Sequence, residues 1–277
     1  MRSNNELLAV LVLYKTRLED SKTFVSLTAS LRSIDVRLDL VVYNNSPDDE
    51  YEGLADHPDW HINYIADSSN NGVSKAYNTA AEIALRLGKK WLLLLDQDTI
   101  FPMETIASYL KAIEAHPDKH LIAPLMRNKN YIISPCRYKL MRGTPLKHIA
   151  PGMHSFNGLS LINCGLCIAV SGFQAIKGYN ELLPLDFSDH DFIRRFQRKA
   201  AKEFVLIDLK VVHELSSHSK NSLVSDLVRF RFYLSATQNM PASVTERLLL
   251  KSNALVRSLK LSLLHRNLSF FKLWWKQ

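Results

Sequence analysis

The chain has 277 residues, of which 47% are hydrophobic, and a formal net charge of +8, so it is long enough to bury one large core or two modest ones. Its three cysteines, Cys136, Cys164 and Cys167, are too few for a disulfide framework and favour a reducing compartment over secretion. No apolar run approaches the ~18 to 20 residues that span a bilayer, so we expect no integral membrane protein, and the run from Leu7 to Tyr14 indicates a strand rather than a signal sequence.

Apolar strand-like runs alternate with helical patterns along most of the chain. In chain order, the predicted strands are LLAVLVLY, LDLVVY, INYIA, WLLLLD, LIAPLM, LINCGLCIAV and FVLIDLKVVH, and the predicted helices are SKTFVSLTASLRS, SKAYNTAAEIALRLG and PMETIASYLKAIEAH. This alternation predicts an α/β fold with a mostly parallel sheet, covered by helices on both faces, with ligand sites at the carboxyl ends of its strands. Residues 126–158 are rich in Pro, Gly and basic side chains and are predicted to form a long loop beside the site. The CGLC stretch lies within a predicted strand, so we expect two buried, inert thiols on opposite faces.

The fourth predicted strand ends in two aspartates that flank one glutamine, in LLLLDQDT. A buried strand would present Asp96 and Asp98 together at its carboxyl end, where two carboxylates repel each other unless a cation lies beside them. A hard divalent ion, Mg²⁺ or Mn²⁺, meets this need. The alternative is that Asp98 only caps the following helix, and the triplet by itself favours that structural interpretation.

Four motifs together resemble family 2 glycosyltransferases of the GT-A fold, and within them the bacterial rhamnosyltransferase-like branch. LVLYKT and VVYNNSP are similar to the family's first two strands, NNGVSKAYN to its Asn-x-Gly-x-x-x-Ala-x-Asn element, and LLLLDQDT to its metal-binding strand. The block NCGLCIAVSGFQAIKGYNELLPLDFSDHDFIRR resembles its acceptor side. The resemblance implies a GT-A catalytic domain over residues 1–235, with a Rossmann-like mixed sheet flanked by helices.

The resemblance also implies a donor site and a metal site. The residues it assigns to the nucleotide sugar donor are Tyr14, Asn44, Asn45, Asn70, Gly72, Lys75, Asn78 and Asp96. The implied Mg²⁺ or Mn²⁺ ion is held by Asp98 and Asp96, with His213 as a third ligand; His190 and His218 are weaker candidates. Asn44 and Asn45 stand where many members carry an acid that holds the nucleobase, which leaves the base open, and Asn70 could instead cap the second predicted helix.

On the acceptor side, the resemblance makes Asp189 the general base. A base that takes the proton of an acceptor hydroxyl is what sugar transfer requires, and a helix is predicted to begin near Ser188, where the family often has Glu. The alternative is a helix N-terminus enriched in acids for its dipole. The residues placed on the acceptor or phosphate side are Gly165, Asp186, Asp191, Arg229 and Arg231. Asp191 is expected to hold the local turn or pair with an arginine.

The positive charge lies in one C-terminal segment. From Leu227 onward there are nine Lys or Arg and one acid, whereas the remainder is neutral, which argues against a nucleic-acid partner. Leucines recur there at helical spacing, at Leu248, Leu255, Leu259 and Leu263. Residues 236–277 are therefore predicted to form a basic amphipathic helical segment, which either lies on anionic lipid or packs its leucine face on the catalytic domain.

The expected activity is inverting, metal-dependent transfer of a hexose, rhamnose or similar. The expected donor is a dTDP- or UDP-sugar, and the acceptor is a hydroxyl of a growing surface glycan of the O-antigen, lipopolysaccharide or capsule type, lipid-linked. The expected location is the cytoplasm, peripheral on the inner face of the cell membrane. Two alternatives stay open: a sugar nucleotidyltransferase, although LYKTRLEDSK has no glycine-rich loop, and a non-catalytic glycan- or nucleotide-binding protein.

Overall fold

The computed structural model describes residues 2–47, 57–128, 131–213 and 222–276. The strands are β1 (Arg2–Leu13), β2 (Val36–Asn44), β3 (Trp60–Ala66), β4 (Trp91–Asp96), β5 (Thr99–Ile100), β6 (Leu121–Asn128), β7 (Tyr131–Lys139), β8 (Arg142–Leu146), β9 (Gly152–Ser155), β10 (Leu159–Ser160), β11 (Cys167–Ala169) and β12 (Glu203–His213). The helices are α1 (Lys22–Ser33), α2 (Gly72–Arg86), α3 (Thr105–Ala115), α4 (Val170–Ala175), α5 (Ser188–Lys199), α6 (Leu223–Asn239), α7 (Val244–Leu264) and α8 (Ser269–Trp275). The three predicted helices correspond to α1, α2 and α3, and α5 begins at the expected residue.

The strands form one mixed sheet, in the order β10-β7-β6-β11-β4-β1-β2-β3. Strands β3, β2, β1 and β4 are parallel to their neighbours. Beyond β4, strand β11 is antiparallel to both β4 and β6, and β7 is antiparallel to β6, while β12 runs parallel to β6. The α/β class is confirmed. Strands β3, β2, β1 and β4 form the continuous parallel part of the sheet.

Strand β4 divides the core into two layers. Leu92 and Leu94 pack in the layer covered by α2, α4 and α5, whereas Leu93 and Leu95 pack in the layer covered by α1 and α3. Successive side chains of a strand point to opposite faces, so an unbroken run of leucines is what a strand buried on both faces requires. The first residue of this strand able to meet solvent is Asp96 at its carboxyl end.

Two predictions about irregular segments were wrong. Residues 126–158 contain the hairpin of β7 and β8 and strand β9, because their alternating side chains pair into a sheet despite the Pro and Gly content. In LINCGLCIAV the only strand residues are those of β11, since Gly165 turns the chain at a φ of +80°. Cys164 and Cys167 are buried free thiols as predicted, but they share one core layer.

The three C-terminal helices pack on one another and on the sheet domain. Phe230 of α6 meets Phe270 of α8, with ring centroids 5.7 Å apart, and Leu250 of α7 joins a small core that includes Met141 and Leu183. The predicted domain boundary between residues 235 and 236 falls inside α6. Within the described ranges, no helix is long and apolar enough to cross a membrane.

Candidate active site

The carboxyl ends of β1 and β4 are joined by the side chain of Gln97. The Tyr14 backbone N–H donates to Gln97 Oε1 at 2.7 Å, and Gln97 Nε2 donates to the Tyr14 carbonyl oxygen at 3.2 Å. This amide continues the β1–β4 pairing past the last paired residue, Asp96. Gln97 thus holds the turn that carries both aspartates against the loop after β1.

Asp96 and Asp98 lie at this edge of the sheet, both partly exposed. Thr99 Oγ1 donates to Asp96 Oδ1 at 2.7 Å and is 3.2 Å from Cys164 Sγ. Burial and the neighbouring Asp96 carboxylate raise the pKa of the Cys164 thiol, which stays neutral. The backbone of His213 pairs with Thr99 in the β5–β12 ladder, but the His213 side chain and the whole of His218 lie outside the described part of the structure.

The two asparagines at the end of β2 have different partners. Asn44 Oδ1 accepts hydrogen bonds from the Ser46 backbone N–H and hydroxyl at 3.0 and 2.6 Å, and Asn44 Nδ2 donates to the Tyr64 hydroxyl at 2.7 Å. Asn45 Oδ1 accepts a 3.3 Å bond from the backbone N–H of Gly72. Asn44 therefore shapes the loop after β2, and Asn45 connects that loop to the start of α2.

One acid at this edge has no counterpart among the predicted site residues. Asp67, just past the end of β3, donates its backbone N–H to the Asn44 carbonyl at 2.8 Å and accepts from the Tyr43 hydroxyl and the Asn71 backbone N–H. Burial raises the pKa of Asp67, but the hydrogen bonds from Asn71, Tyr43 and Ser69 outweigh it and lower the pKa below its usual value. Its position after a strand and before Asn-Gly was the signal available in the sequence.

The first turn of α2 is bonded to the segment that precedes α5. Gly72 has a φ of +85°, and a Cβ there would lie 2.3 Å from the Pro184 carbonyl oxygen, so this position requires glycine. Asn78 Oδ1 accepts from the Tyr179 backbone N–H at 2.7 Å, and Asn78 Nδ2 donates to the Tyr179 carbonyl at 3.0 Å. Lys75 Nζ lies 3.6 Å from Glu181.

One more predicted donor residue, Asn70, lies just before α2. Asn70 lies in the loop before the helix with a φ of +51°, and the residue at the N-cap position is Asn71. The predicted donor residues Gly72, Lys75 and Asn78 are thus also the residues through which α2 contacts residues 179–184.

The three acids of the second cluster lie in three different environments. The Asp191 side chain is 3% exposed and accepts from Arg195 Nε at 2.8 Å. Asp186 is 13% exposed; burial raises its pKa, although Arg229 and Arg257 oppose that shift. Asp189 is the most exposed of the three, at 21%. The pairing of Asp191 with an arginine agrees with the expectation for that residue.

Asp189 is anchored at the first turn of α5, beside the β7–β8 hairpin. Its Oδ1 accepts from the His190 backbone N–H at 2.7 Å. The His190 ring lies 4.6 Å from that of Tyr138 in β7, and His190 Nδ1 is 2.8 Å from Ser160 Oγ. The hairpin, predicted as a loop, is therefore a side wall next to Asp189.

The buried phenol of Tyr77 lies near an acid of each cluster. Burial raises the pKa of Tyr77 well above its usual value, and the negative charges of both Asp96 and Asp189 raise it further. A charge that perturbs a buried group in this way lies near it. Asp96 at the carboxyl end of β4 and Asp189 in the first turn of α5 therefore both lie near Tyr77 of α2.

The remaining predicted acceptor-side residues do not all meet there. Arg229 Nη2 lies 3.2 Å from Asp186 Oδ1, and Arg257 of α7, which no sequence motif indicated, approaches the same oxygen at 3.8 Å. Arg231 is exposed and lies about 200° around α6 from Arg229. Gly165 fills a packing role, because a Cβ there would lie 2.7 Å from Pro124 Cγ.

Replacing Asp191 by Asn is expected to destabilise the fold by about 2 kcal/mol, because it removes the charge from the hydrogen bond between the buried Asp191 and the half-buried guanidinium of Arg195. Donor affinity should stay close to that of the parent. Urea unfolding with and without a nucleotide sugar measures both. The matched control is Asp118→Asn, the same change at a side chain that is 72% exposed. A well-folded but inactive Asp191→Asn protein would contradict the structural role.

Comparisons with known proteins identify similar chains. Residues 25–159 match the sequence profile described as Glycosyl transferase family 2. The dTDP-rhamnosyl transferase RfbF of Shigella flexneri is 23% identical over 221 residues, covering 78% of this chain and 71% of that protein. The crystal structure of S. aureus TarS 1–349 superposes with a TM-score of 0.55 at 15% identity, covering 92% of this chain and 75% of TarS.

The structure of the same TarS fragment in complex with UDP-GlcNAc gives a TM-score of 0.52 at 14% identity, over 89% of this chain and 71% of the fragment. At these identities the likeness concerns the fold, and it confirms the predicted GT-A architecture. The profile match confirms the family resemblance. The profile match ends at residue 159, before α5, so the proposed role of Asp189 is supported by the sequence motif and by its nearness to Tyr77.

Proposed function

We propose that this protein transfers rhamnose or a similar hexose from a nucleotide diphosphate sugar to a hydroxyl of a growing surface glycan. The premise is the match of residues 25–159 to glycosyl transferase family 2. The observation that carries the proposal is that Asp96 and Asp189, one acid from each cluster, both lie near the buried Tyr77. The name of the Shigella relative supports a dTDP-linked sugar as donor, with a UDP-sugar as the other nucleotide to test. The predicted donor residues around Asn45 and Gly72 lie at the same edge of the sheet as Asp96, the carboxyl ends of the parallel strands.

We assign the general base to Asp189. The acceptor oxygen attacks the anomeric carbon of the donor sugar and passes its proton to the Asp189 carboxylate, while the bond from that carbon to the diphosphate oxygen breaks and its electron pair leaves with the diphosphate. The attack and the departure take place on opposite faces of the sugar, so the reaction inverts the anomeric configuration. Asp189 suits this role because it is the most exposed acid of its cluster and its position is fixed by the His190 backbone.

We assign the metal ligands to Asp98 and Asp96. Their carboxylate oxygens are hard ligands of the kind that Mg²⁺ and Mn²⁺ take together with substrate phosphates, so the donor set fits. Within the described residues, no group of three His, Cys, Asp or Glu side chains is placed to hold an ion, and the side chain of His213, the predicted third ligand, lies outside those residues. When bound, the ion supplies positive charge against the leaving diphosphate. Thr99 and Gln97 hold the two aspartates in place.

We further propose that the acceptor is lipid-linked and that the enzyme works at the cytoplasmic face of the membrane. The support is the basic C-terminal segment, whose helices contribute Arg229 and Arg257 to the acceptor side through Asp186. Both arginines contact Asp186, three residues before Asp189, and we propose that the anionic lipid carrier of the acceptor approaches them.

A thermal-shift screen of nucleotide sugars, each with and without Mn²⁺, tests the donor assignment. We expect dTDP-rhamnose or a related dTDP-sugar with Mn²⁺ to stabilise the protein by about 2.7 kcal/mol at 100 times its dissociation constant. UDP-sugars test the other nucleotide, and GDP-sugars are the matched controls. If no nucleotide sugar stabilises the protein, the donor assignment is wrong. If a nucleoside triphosphate and a sugar phosphate are joined instead, the activity is that of a nucleotidyltransferase.

A further inference from the structure

Helix α7 carries large apolar side chains on the face that does not pack on the protein. Leu248, Val256, Leu259 and Leu263 are 61, 64, 45 and 80% exposed. At 100° per residue these four side chains fall within an arc of about 80°, and they span about 22 Å along the helix. We call these four residues the outer stripe of α7.

The outer stripe is not needed to hold α7 on the protein. The opposite face does that, with Leu250 and Ala254 buried at 0 and 1% exposure and with Arg257 reaching Asp186. The sequence left open whether the leucine face packs on the catalytic domain. The exposure of Leu259 and Leu263 contradicts that alternative.

Helix α8 carries a cluster of aromatic side chains next to α7, on the side of Lys251. The rings of Phe271, Trp274 and Trp275 form a cluster with centroids 5.8 to 6.2 Å apart, and Trp274 Nε1 donates to the Lys251 carbonyl of α7 at 3.3 Å. Trp275 is 74% exposed. Tryptophans of this kind are enriched at the boundary between water and lipid, because one side of the ring system is apolar and the N–H is polar.

The charges around the outer stripe are positive. Lys251 and Lys260 lie on its two sides, about 100° and 80° from its centre, and both are exposed. Lys272 of α8 and Lys276, just past its end, are exposed as well. Glu246, the one acid from Leu227 to the end of the sequence, is paired with Arg194 at 2.8 Å. The surface therefore matches an apolar layer covered by negative charge.

We propose that the outer stripe of α7, with Trp275 and the flanking lysines, docks on an anionic lipid bilayer. An interfacial helix has this arrangement, with an apolar stripe that enters the lipid and basic side chains that remain at the headgroups. A second copy of the chain fits less well, because a two-fold contact would bring the same lysines of both copies together. The binding does not depend on which sugar is transferred, although its purpose rests on the proposed lipid-linked acceptor.

The geometry also fixes where the active site lies above the lipid. Arg257 projects from α7 about 140° away from the centre of the outer stripe and contacts Asp186, three residues before Asp189. A helix with its side chains is about 10 Å thick, so the acidic cluster lies roughly one helix diameter from the docked surface. A hydroxyl on the first sugars of a lipid-linked glycan lies within that reach.

The experiment is co-sedimentation with phosphatidylcholine vesicles that contain or lack phosphatidylglycerol. The parent is expected to bind only the anionic vesicles and to be released by salt. Leu259→Ser with Leu263→Ser should weaken binding roughly tenfold or more, and Lys260→Gln with Lys272→Gln should weaken it about 30-fold, at about 1 kcal/mol for each lysine. The matched control is Leu85→Ser with Leu87→Ser, two leucines of α2 and its C-cap that are 52 and 54% exposed.

Melting temperature and transfer to a water-soluble acceptor are measured on every variant, and both should match the parent. The inactive Asp189→Asn protein should bind the vesicles normally, so failure of the catalytic proposal leaves this test intact. Equal vesicle binding by the parent, the double leucine variant of α7 and the double lysine variant would overturn the inference. So would light scattering that shows a dimer of the parent which the Leu259 and Leu263 changes dissociate.

Discussion

Asp189→Asn is expected to bind the donor and the metal like the parent and to transfer sugar about 10²- to 10⁴-fold more slowly. Asn has the size of Asp but cannot take the acceptor's proton. Its amide oxygen can still accept the hydrogen bond from the His190 backbone that now anchors Asp189 at 2.7 Å. The first turn of α5 should therefore stay intact. Calorimetry measures donor binding, and transfer to a glycan acceptor measures the rate on the same preparation.

Two controls separate the loss of a base from a loss of structure. Asp118→Asn makes the same chemical change at the end of the sheet opposite to the site, and it should behave like the parent in both assays. The melting temperature of Asp189→Asn should also match that of the parent, which damage to the fold would not allow. If Asp189→Asn is fast and Asp191→Asn is inactive but folded, the two roles are exchanged.

The second large effect is expected at Asp98. Asp98→Asn removes one of the two proposed metal ligands, so it should lose the part of donor binding that depends on Mn²⁺ and lose turnover with it. At 100 times the dissociation constant, the parent gains about 2.7 kcal/mol from the donor, and most of this gain should vanish. Thermal shifts of both proteins with the donor, with Mn²⁺ and with a chelator measure the difference.

The melting temperature without ligands shows whether Asp98→Asn still folds, and Asp118→Asn again provides the same substitution elsewhere. Asp96→Asn is a useful companion, because its amide oxygen can still accept the hydrogen bond that Thr99 donates to Asp96 at 2.7 Å, so the protein should fold while losing the other proposed metal ligand. An Asp98→Asn protein with an unchanged Mn²⁺-dependent shift would show that the metal lies elsewhere or is not used.

The sequence was sufficient where one residue pattern permits one structure. Four consecutive leucines before Asp96 fit a strand buried on both faces, and the structure divides them between two core layers. The start of α5 at Ser188 was also predictable, because Phe192 and Phe196 recur at helical spacing and both are buried. The positions of the two acidic clusters in the fold followed from these elements.

The sequence was insufficient where the partner is distant. The β7–β8 hairpin looked like a loop because Pro135 and Gly143 interrupt its alternation, yet its pairing with β6 and β10 overrides local composition. Asp67 was missed because its role depends on Tyr43 and Asn71, which only the folded chain brings to it. Arg257 was missed for the same reason, since it lies 71 residues beyond Asp186 and meets it only through the packing of α7.

The bonds between the first turns of α2 and residues 179–184 also bear on how the protein is made. Ser74 donates to the Leu183 carbonyl and Asn78 to the Tyr179 carbonyl, across 109 and 101 residues of chain. Synthesis at about 5 to 20 residues per second separates the two segments by roughly 5 to 20 s on the ribosome. The nascent parallel strands can pair during that interval, but the bonds of α2 to residues 179–184 can form only afterwards. Contacts of such long sequence separation form slowly, so the surroundings of the predicted donor residues Gly72 and Asn78 are completed only after the segment before α5 has been translated.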